Sequence, residues 1–455
     1  MKKQTIILII IIILLAIIFS SLLFLVFSSN NNETIVANTD SRAQIGEPPS
    51  GNNGPENAGA LGNSSNSSSN SNISYTGATT ISSDTSESNV SYSSTTGSEN
   101  ALLVNGGTAT LSNVTITKLG DSSGDNSDFY GTNAAVLATN DATLNISDST
   151  ITTNGSHANG VFAYGTGVIN ISDSTIKTSS NNSGAVMVTG GGTLTANNVT
   201  ATTDGNSSAP IRSDRGGGTL TVNGGTYTSN GVGSPAIYST ADITVNNATL
   251  TSTSSEGAVV EGANSITLNN VTLTDTNTSL NGNSETYKNI FLYQSMSGDA
   301  DVGNASFTAK DSTITTNKGD TIFVTNTTAT ISLTNNKFIN NDTTGGFLRI
   351  QAGKWGTSGS NGGNVTLNVT NQEINGNIYV DSISTLKFTL SEGSSYTGTI
   401  NGENSAKSIS ITLDSSSTLI LTGDCYVTSL TDSDTTYSNI NFNGYKLYVN
   451  GTAIN

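Results

Sequence analysis

Cysteine is almost missing from this chain. Cys425 is the only one in 455 residues, so no disulfide closes within the chain and no thiolate cluster holds a metal. Histidine and tryptophan also occur once each, at His157 and Trp355. His157 lies in the turn-like run Asn-Gly-Ser-His-Ala-Asn-Gly and reads as a solvated loop residue, not a general base. Only 11% of residues are charged, and basic residues are half as numerous as acidic ones, 16 against 33. The net charge of −17 argues against nucleic acid and anionic membrane surfaces as partners. Gly, Ser, Thr and Asn fill the chain instead: a neutral, hydroxyl-rich surface kept soluble by scattered carboxylates.

One long apolar run is present, Ile6 to Phe27, interrupted only by Ser20 and Ser21 and preceded by Lys2 and Lys3. Its length suits the hydrocarbon core of about 30 Å. Basic residues before it and Glu33 and Asp40 after it predict the amino terminus inside and the remainder outside. Residues 1–29 read as a signal anchor or a cleaved signal peptide; both export the rest of the chain and place it at the cell surface. Residues 30–97 are rich in Ser, Asn and Gly and offer little to bury, which predicts a flexible stalk; late in it Asn72-Ile-Ser-Tyr75 and Asn89-Val-Ser-Tyr92 are candidate starts of the first coil.

Beyond the stalk a phrase recurs. Leu-Ser-Asn-Val-Thr-Ile-Thr ends at Thr117, Ile-Ser-Asp-Ser-Thr-Ile-Thr at Thr152 and Leu-Asn-Asn-Val-Thr-Leu-Thr at Thr274. Its apolar centre falls at Ile116, Ile151, Ile176, Ala201, Tyr227, Leu250, Leu273 and Ile314, and in degenerate form at Phe338 and Ile374. A base spacing of 23 to 26 residues, with longer intervals where loops are added, marks a solenoid whose repeats close their core only by stacking. Each repeat holds two or three short strands alternating in period two, broken by glycines and Asn pairs. The fold expected is an all-β parallel β-helix, with repeats over 98–375 and closing coils and a cap over 376–455. Coils would stack at about 4.8 Å.

One corner of every repeat carries Asn, Asp or Gly: Asn113, Asp148, Asp173, Asn198, Gly224, Asn247, Asn270, Asp311, Asn335 and Asn371. These residues tolerate a left-handed backbone, so the position is structural. Many Asn-x-Ser/Thr sequons follow mechanically from this corner and are weak evidence for glycosylation. The threonines around the apolar centre, among them Thr150 and Thr152, Thr200 and Thr202, Thr226 and Thr228, Thr249 and Thr251, and Thr272 and Thr274, are expected to form two outward columns. They read either as β-branched filling of a solvated face or as a hydroxyl array for glycan or ice. Insertions break the period at Leu119–Asn133, Asn277–Asn289 and Ala352–Asn364, and the breaks at Leu119 and Asn277 are expected to interrupt a flat face, which counts against ice. Asp121, Asp125 and Asp128 in the first insertion are the only candidate calcium ligands, without EF-hand spacing. Trp355 is a candidate for covering a coil face or stacking on a sugar.

With the coils laid out, the chain resembles adhesin-like cell-surface proteins of the pectate-lyase-type right-handed β-helix superfamily, over about Asn100 to Asn455. Leu421-Thr-Gly-Asp-Cys-Tyr-Val-Thr-Ser-Leu430 is similar to a segment of autotransporter passengers, with Cys425 in place of serine. No room remains after it for a membrane barrel, so export is expected to use residues 6–27, and Phe442 to Val449 to cap the stack. The resemblance implies a right-handed coil and adhesion to glycans or to components of a host or neighbouring cell surface. It also raises polysaccharide lyases and hydrolases. The Gly-His-Gly and Arg-x-Lys of polygalacturonases are missing here. Ile211-Arg-Ser-Asp-Arg-Gly216 is the best remaining acid/base candidate, and reads more simply as a local ion pair at a turn. No catalytic residues and no cofactor are assigned.

Overall fold

A computed structural model describes residues 73–280 and 286–455, which belong to one compact unit, Arg42–Asn455. The apolar run 6–27, the stalk up to residue 72 and part of the second insertion lie outside the described residues. No helix among the described residues is long and apolar enough to cross a membrane.

The chain winds as a right-handed parallel β-solenoid of about 15 turns. Three sheets run along it. Sheet A has 12 strands, from Gly77–Ile81 to Ile378–Val380; sheet B has 14, from Thr85–Ser88 to Ser429–Asp432; sheet C has 10, from Ser91–Ser94 to Lys337–Asn340. A fourth, sheet D, has four strands from Glu373–Asn375 to Ile440–Asn441. The expected stalk to residue 97 is shorter than the sequence indicated, because residues 77–94 already make the first strands of A, B and C. Their few apolar side chains, Ile81 and Tyr92, suffice because the next coil covers them, with Gly77 opposite Asn100 and Ser91 opposite Thr115.

Side-chain alternation follows the period of two. Strand Gly192–Asn197 reads buried, half-buried, buried throughout its length, with Leu194 and Ala196 inward and Thr193 and Thr195 outward. Register is what turns this local pattern into a core. Ile151 pairs with Ile176 and Ile176 with Ala201, and all three are at most 1% exposed. Each such aliphatic removed from water contributes about 1.5–3 kcal/mol, and no coil could do this alone.

The corner explains how a short coil turns so sharply. All ten corner residues have φ between 48° and 71°, the left-handed region that Asn, Asp and Gly enter at low cost. Their amides also join neighbouring coils: Asn198 Nδ2 donates to Asp173 Oδ1 at 2.7 Å and Asn270 Nδ2 to Asn247 Oδ1 at 2.8 Å. Asn198→Val is therefore expected to lower stability by about 1–3 kcal/mol, whereas Asn198→Gly costs within about 1 kcal/mol. Urea denaturation of the two variants side by side checks this ordering.

At the carboxyl end the stack closes on itself. Leu447–Val449 pairs in parallel with Cys425–Val427 and antiparallel with Thr452–Ala453. Tyr426 and Tyr448 stack at 4.7 Å, and Phe442, Val449 and Ile454 pack against the core.

Candidate functional site

The Thr-x-Thr strands form sheet C, and its ladder sets the threonines in columns. Thr150, Thr175, Thr200, Thr226, Thr249 and Thr272 are successive partners, exposed in every coil. Thr152, Lys177, Thr202, Thr228, Thr251 and Thr274 make the second column, half-buried except at the exposed Lys177. Lys177 is the one charge in it, paired across solvent with Asp204 at 3.6 Å, a contact worth little.

The insertions do not interrupt these columns. Thr117 pairs with Thr152 across the first and Thr274 with Thr315 across the second. Both insertions leave the coil after sheet C and before sheet A, so their length never enters the ladder. The expectation that they spoil the face is corrected. The first column is unbroken threonine from Thr115 to Thr313.

Sheet B presents a second such face that the repeat phrase did not reveal. Thr195, Thr221, Thr244, Thr267 and Thr308 stand in register along its centre. Beside them Asn197, Asn223, Asn246 and Asn269 form an amide ladder, each donating to the one before at 2.9 Å. That ladder holds every amide in one orientation. The signal was in the sequence: Asn precedes the corner in four consecutive repeats.

Sheet A is buried on both faces from Asn100–Asn105 to Asp320–Thr325, where the insertions fold over its outer side. Phe129, on the short helix Asp125–Tyr130, is 4% exposed, and Thr189 Oγ1 donates to its carbonyl at 2.6 Å. Trp355 is 7% exposed and packs on Tyr293 at 5.3 Å, in a cluster with Tyr238, Phe291 and Phe323. Its ring covers a coil face and is withdrawn from solvent, so the sugar-stacking role does not stand.

Beneath these covers lie the clustered ionisable groups. Tyr238 and Tyr293 donate to Glu261 Oε2 at 2.5 and 2.9 Å, and Ser295 donates to Oε1. Burial raises the Glu261 carboxyl above its usual range, against the pull of these donors. Arg212 and Asp214 pair at 2.9 Å, 6% and 4% exposed. Arg215 reaches Asp299, 84 residues away, at 2.6 Å, and its guanidinium lies 4.2 Å from the Phe129 ring. The Arg-Ser-Asp-Arg segment is thus a local pair for Arg212 only; Arg215 fastens a loop.

The three candidate calcium ligands do not converge. Asp121 accepts from the Ser156 N–H at 2.7 Å, Asp125 lies 3.7 Å from Arg215, and Asp128 bonds His157 Nδ1 at 2.7 Å. Asp121 lies ahead of the helix, which turns Asp125 and Asp128 toward different neighbours. Among the described residues no group of three His, Cys, Asp or Glu could hold a metal. His157 is also a correction: it is 8% exposed and bridges Asp128 to Asn182. A single histidine in a polar run looks solvated until the insertion folds over it.

No family model, no curated protein and no solved structure matches the chain.

Proposed function

We propose that this is an exported, non-catalytic surface protein that adheres to a repetitive glycan through the outward faces of sheets B and C. The observation that carries the reading is the threonine column of sheet C, in register through eight coils from Thr115 to Thr313. Coils repeat at about 4.8 Å, and the two threonines of one strand stand about 6.6 Å apart. A grid of hydroxyls and fixed amides on those spacings offers donors and acceptors to a periodic partner with little ordering cost. The apolar run Ile6–Phe27 supports export. Adhesion is chosen over polysaccharide cleavage because Arg212 and Asp214 of the acid/base candidate segment, and Glu261 beside them, are buried away from any polymer.

Full-length protein in detergent, applied to an array of host and microbial glycans, is expected to bind a repetitive glycan. Thr200→Tyr with Thr226→Tyr should weaken that binding by at least ~10-fold. Unchanged binding would remove sheet C from the reading. A second reading, binding to ice, is favoured by the continuity of the same columns. Thermal hysteresis lost in the double variant, with no glycan bound, would select it.

A further inference from the structure

The inward column of sheet C is sealed at every coil but one. From Ile116 to Ile314 its residues are 0–1% exposed, yet Phe338, the next in register, is only half-buried. The cause is a break in the ladder. Lys337–Asn340 is the last strand of sheet C and Glu373–Asn375 the first of sheet D, with no backbone hydrogen bond between these two described strands. In the earlier coil seven residues, 341–347, lead from this strand to sheet A; in the later one only two, 376–377, do so. The edge of each strand that faces the other is left without a strand partner.

Gln372 ties the two lips together at the corner. Its Oε1 accepts from the Asn336 N–H at 2.7 Å, and its Nε2 donates to the Asn336 and Glu373 carbonyls at 2.8 and 2.7 Å. The result is a wedge of about 600 Å³ that closes toward Gln372. Phe338 lines it, braced edge-on against Phe347 at 5.2 Å. Lys337 stands on one lip and Glu373 on the other, and Asn375 Nδ2 holds the Glu373 carboxylate at 2.8 Å. The volume lies within the ~300–1,000 Å³ of small-molecule sites, and the lining is mostly polar, with Phe338 the one apolar ring among Asn, Gln, Lys, Glu and Ser side chains.

We infer that this wedge is a subsite for a single sugar ring, a neutral pyranose seated on Phe338 with its hydroxyls on Glu373, Asn375 and Lys337. The inference rests on the glycan reading above and names where one residue of that glycan is held. A ring fits better than a peptide strand. Inserting a strand would need lips about 9.6 Å apart, two sheet spacings, and the Gln372 side chain spans them at one end.

Ligand-observed saturation-transfer NMR of the full-length protein in detergent, with the methyl glycosides of glucose, galactose and N-acetylglucosamine, tests it. At least one glycoside should bind, and Phe338→Leu and Glu373→Gln should each weaken it by ~10-fold or more. Leu250 and Leu273 occupy the same column, so the Phe338→Leu chain retains an inward side chain of accepted type. Glycan-array binding without any glycoside binding would overturn the subsite and leave the adhesive face standing. Neither kind of binding would overturn both. An alternating Thr-Val pentapeptide that binds the wild type but not Phe338→Leu, with no sugar bound, would replace the sugar by an added strand.

Discussion

Ile176→Asp is expected to abolish the folded central coils. Ile176 is fully buried, with Ile151 beneath it and Ala201 above. An ionised carboxylate there faces only hydrocarbon, and its effective cost after relaxation is several kcal/mol. The escape by protonation is no cheaper. Holding an aspartic acid neutral at pH 7 costs about 4 kcal/mol, three pH units above its ordinary pKa at 1.36 kcal/mol each. The neighbours also lose the contacts of the deleted methyl groups. Against a total stability of roughly 5–15 kcal/mol for an ordinary domain, that is decisive. Because each coil is held by its two neighbours, the damage spreads along the stack. Far-UV circular dichroism should show the loss. Lys177→Thr, one residue away on the outer face, should leave the spectrum unchanged, since threonine stands at that position in both adjacent coils.

Asp214→Ala is expected to cost about 3–5 kcal/mol, the penalty for leaving one member of a buried ion pair alone. Its partner Arg212 is nearly sealed, with the Asp214 carboxylate at 2.9 Å and the Ser207 carbonyl at 2.8 Å. Removing the carboxylate strands a guanidinium under the helix that carries Phe129. Restoring neutrality should restore stability. Arg212 lies in register between Met187 and Tyr238, so Arg212→Met with Asp214→Leu continues an apolar column and should recover most of the loss. Urea midpoints of the single and double variants measure both effects. A single-variant cost below about 1 kcal/mol would mean that water reaches the pair.

These two residues also show what was legible in the chain. Ile176 announced its role because spacing alone puts it over Ile151 and under Ala201, and stacking is the only way such a repeat buries anything. The corners were equally plain, since a left-handed turn restricts the residues that fill it. The Thr-x-Thr columns followed from both. Asp214 was read as a turn ion pair, but its burial depends on an insertion that returns to cover sheet A, and the repeat carries no record of where an insertion lands. The same ignorance put His157 in solvent, left Trp355 open to a sugar, and grouped Asp121, Asp125 and Asp128 as ligands. The start of the first coil, which Asn72–Tyr75 and Asn89–Tyr92 only suggested, was blurred for the opposite reason. Residues 77–94 have too few apolar side chains to look folded, and become so only because a neighbour supplies the rest of the core. The break at Phe338 lies between Lys337–Asn340 and a strand of the next coil, Glu373–Asn375, and no local pattern around Phe338 records that the two do not pair.

In a stacked solenoid, sequence separation becomes a fixed number of coil steps along one axis. Spin labels at cysteines placed on the outer threonine column test this directly, with the buried Cys425 protected from labelling. Thr150 and Thr249 are four steps apart and Thr115 and Thr272 six, which gives about 19 and 29 Å at 4.8 Å per step. Double electron–electron resonance should return two narrow distributions near those values, in the ratio of two to three. Broad distributions, or distances that do not grow with the number of coils, would contradict the stacked column and everything built on it.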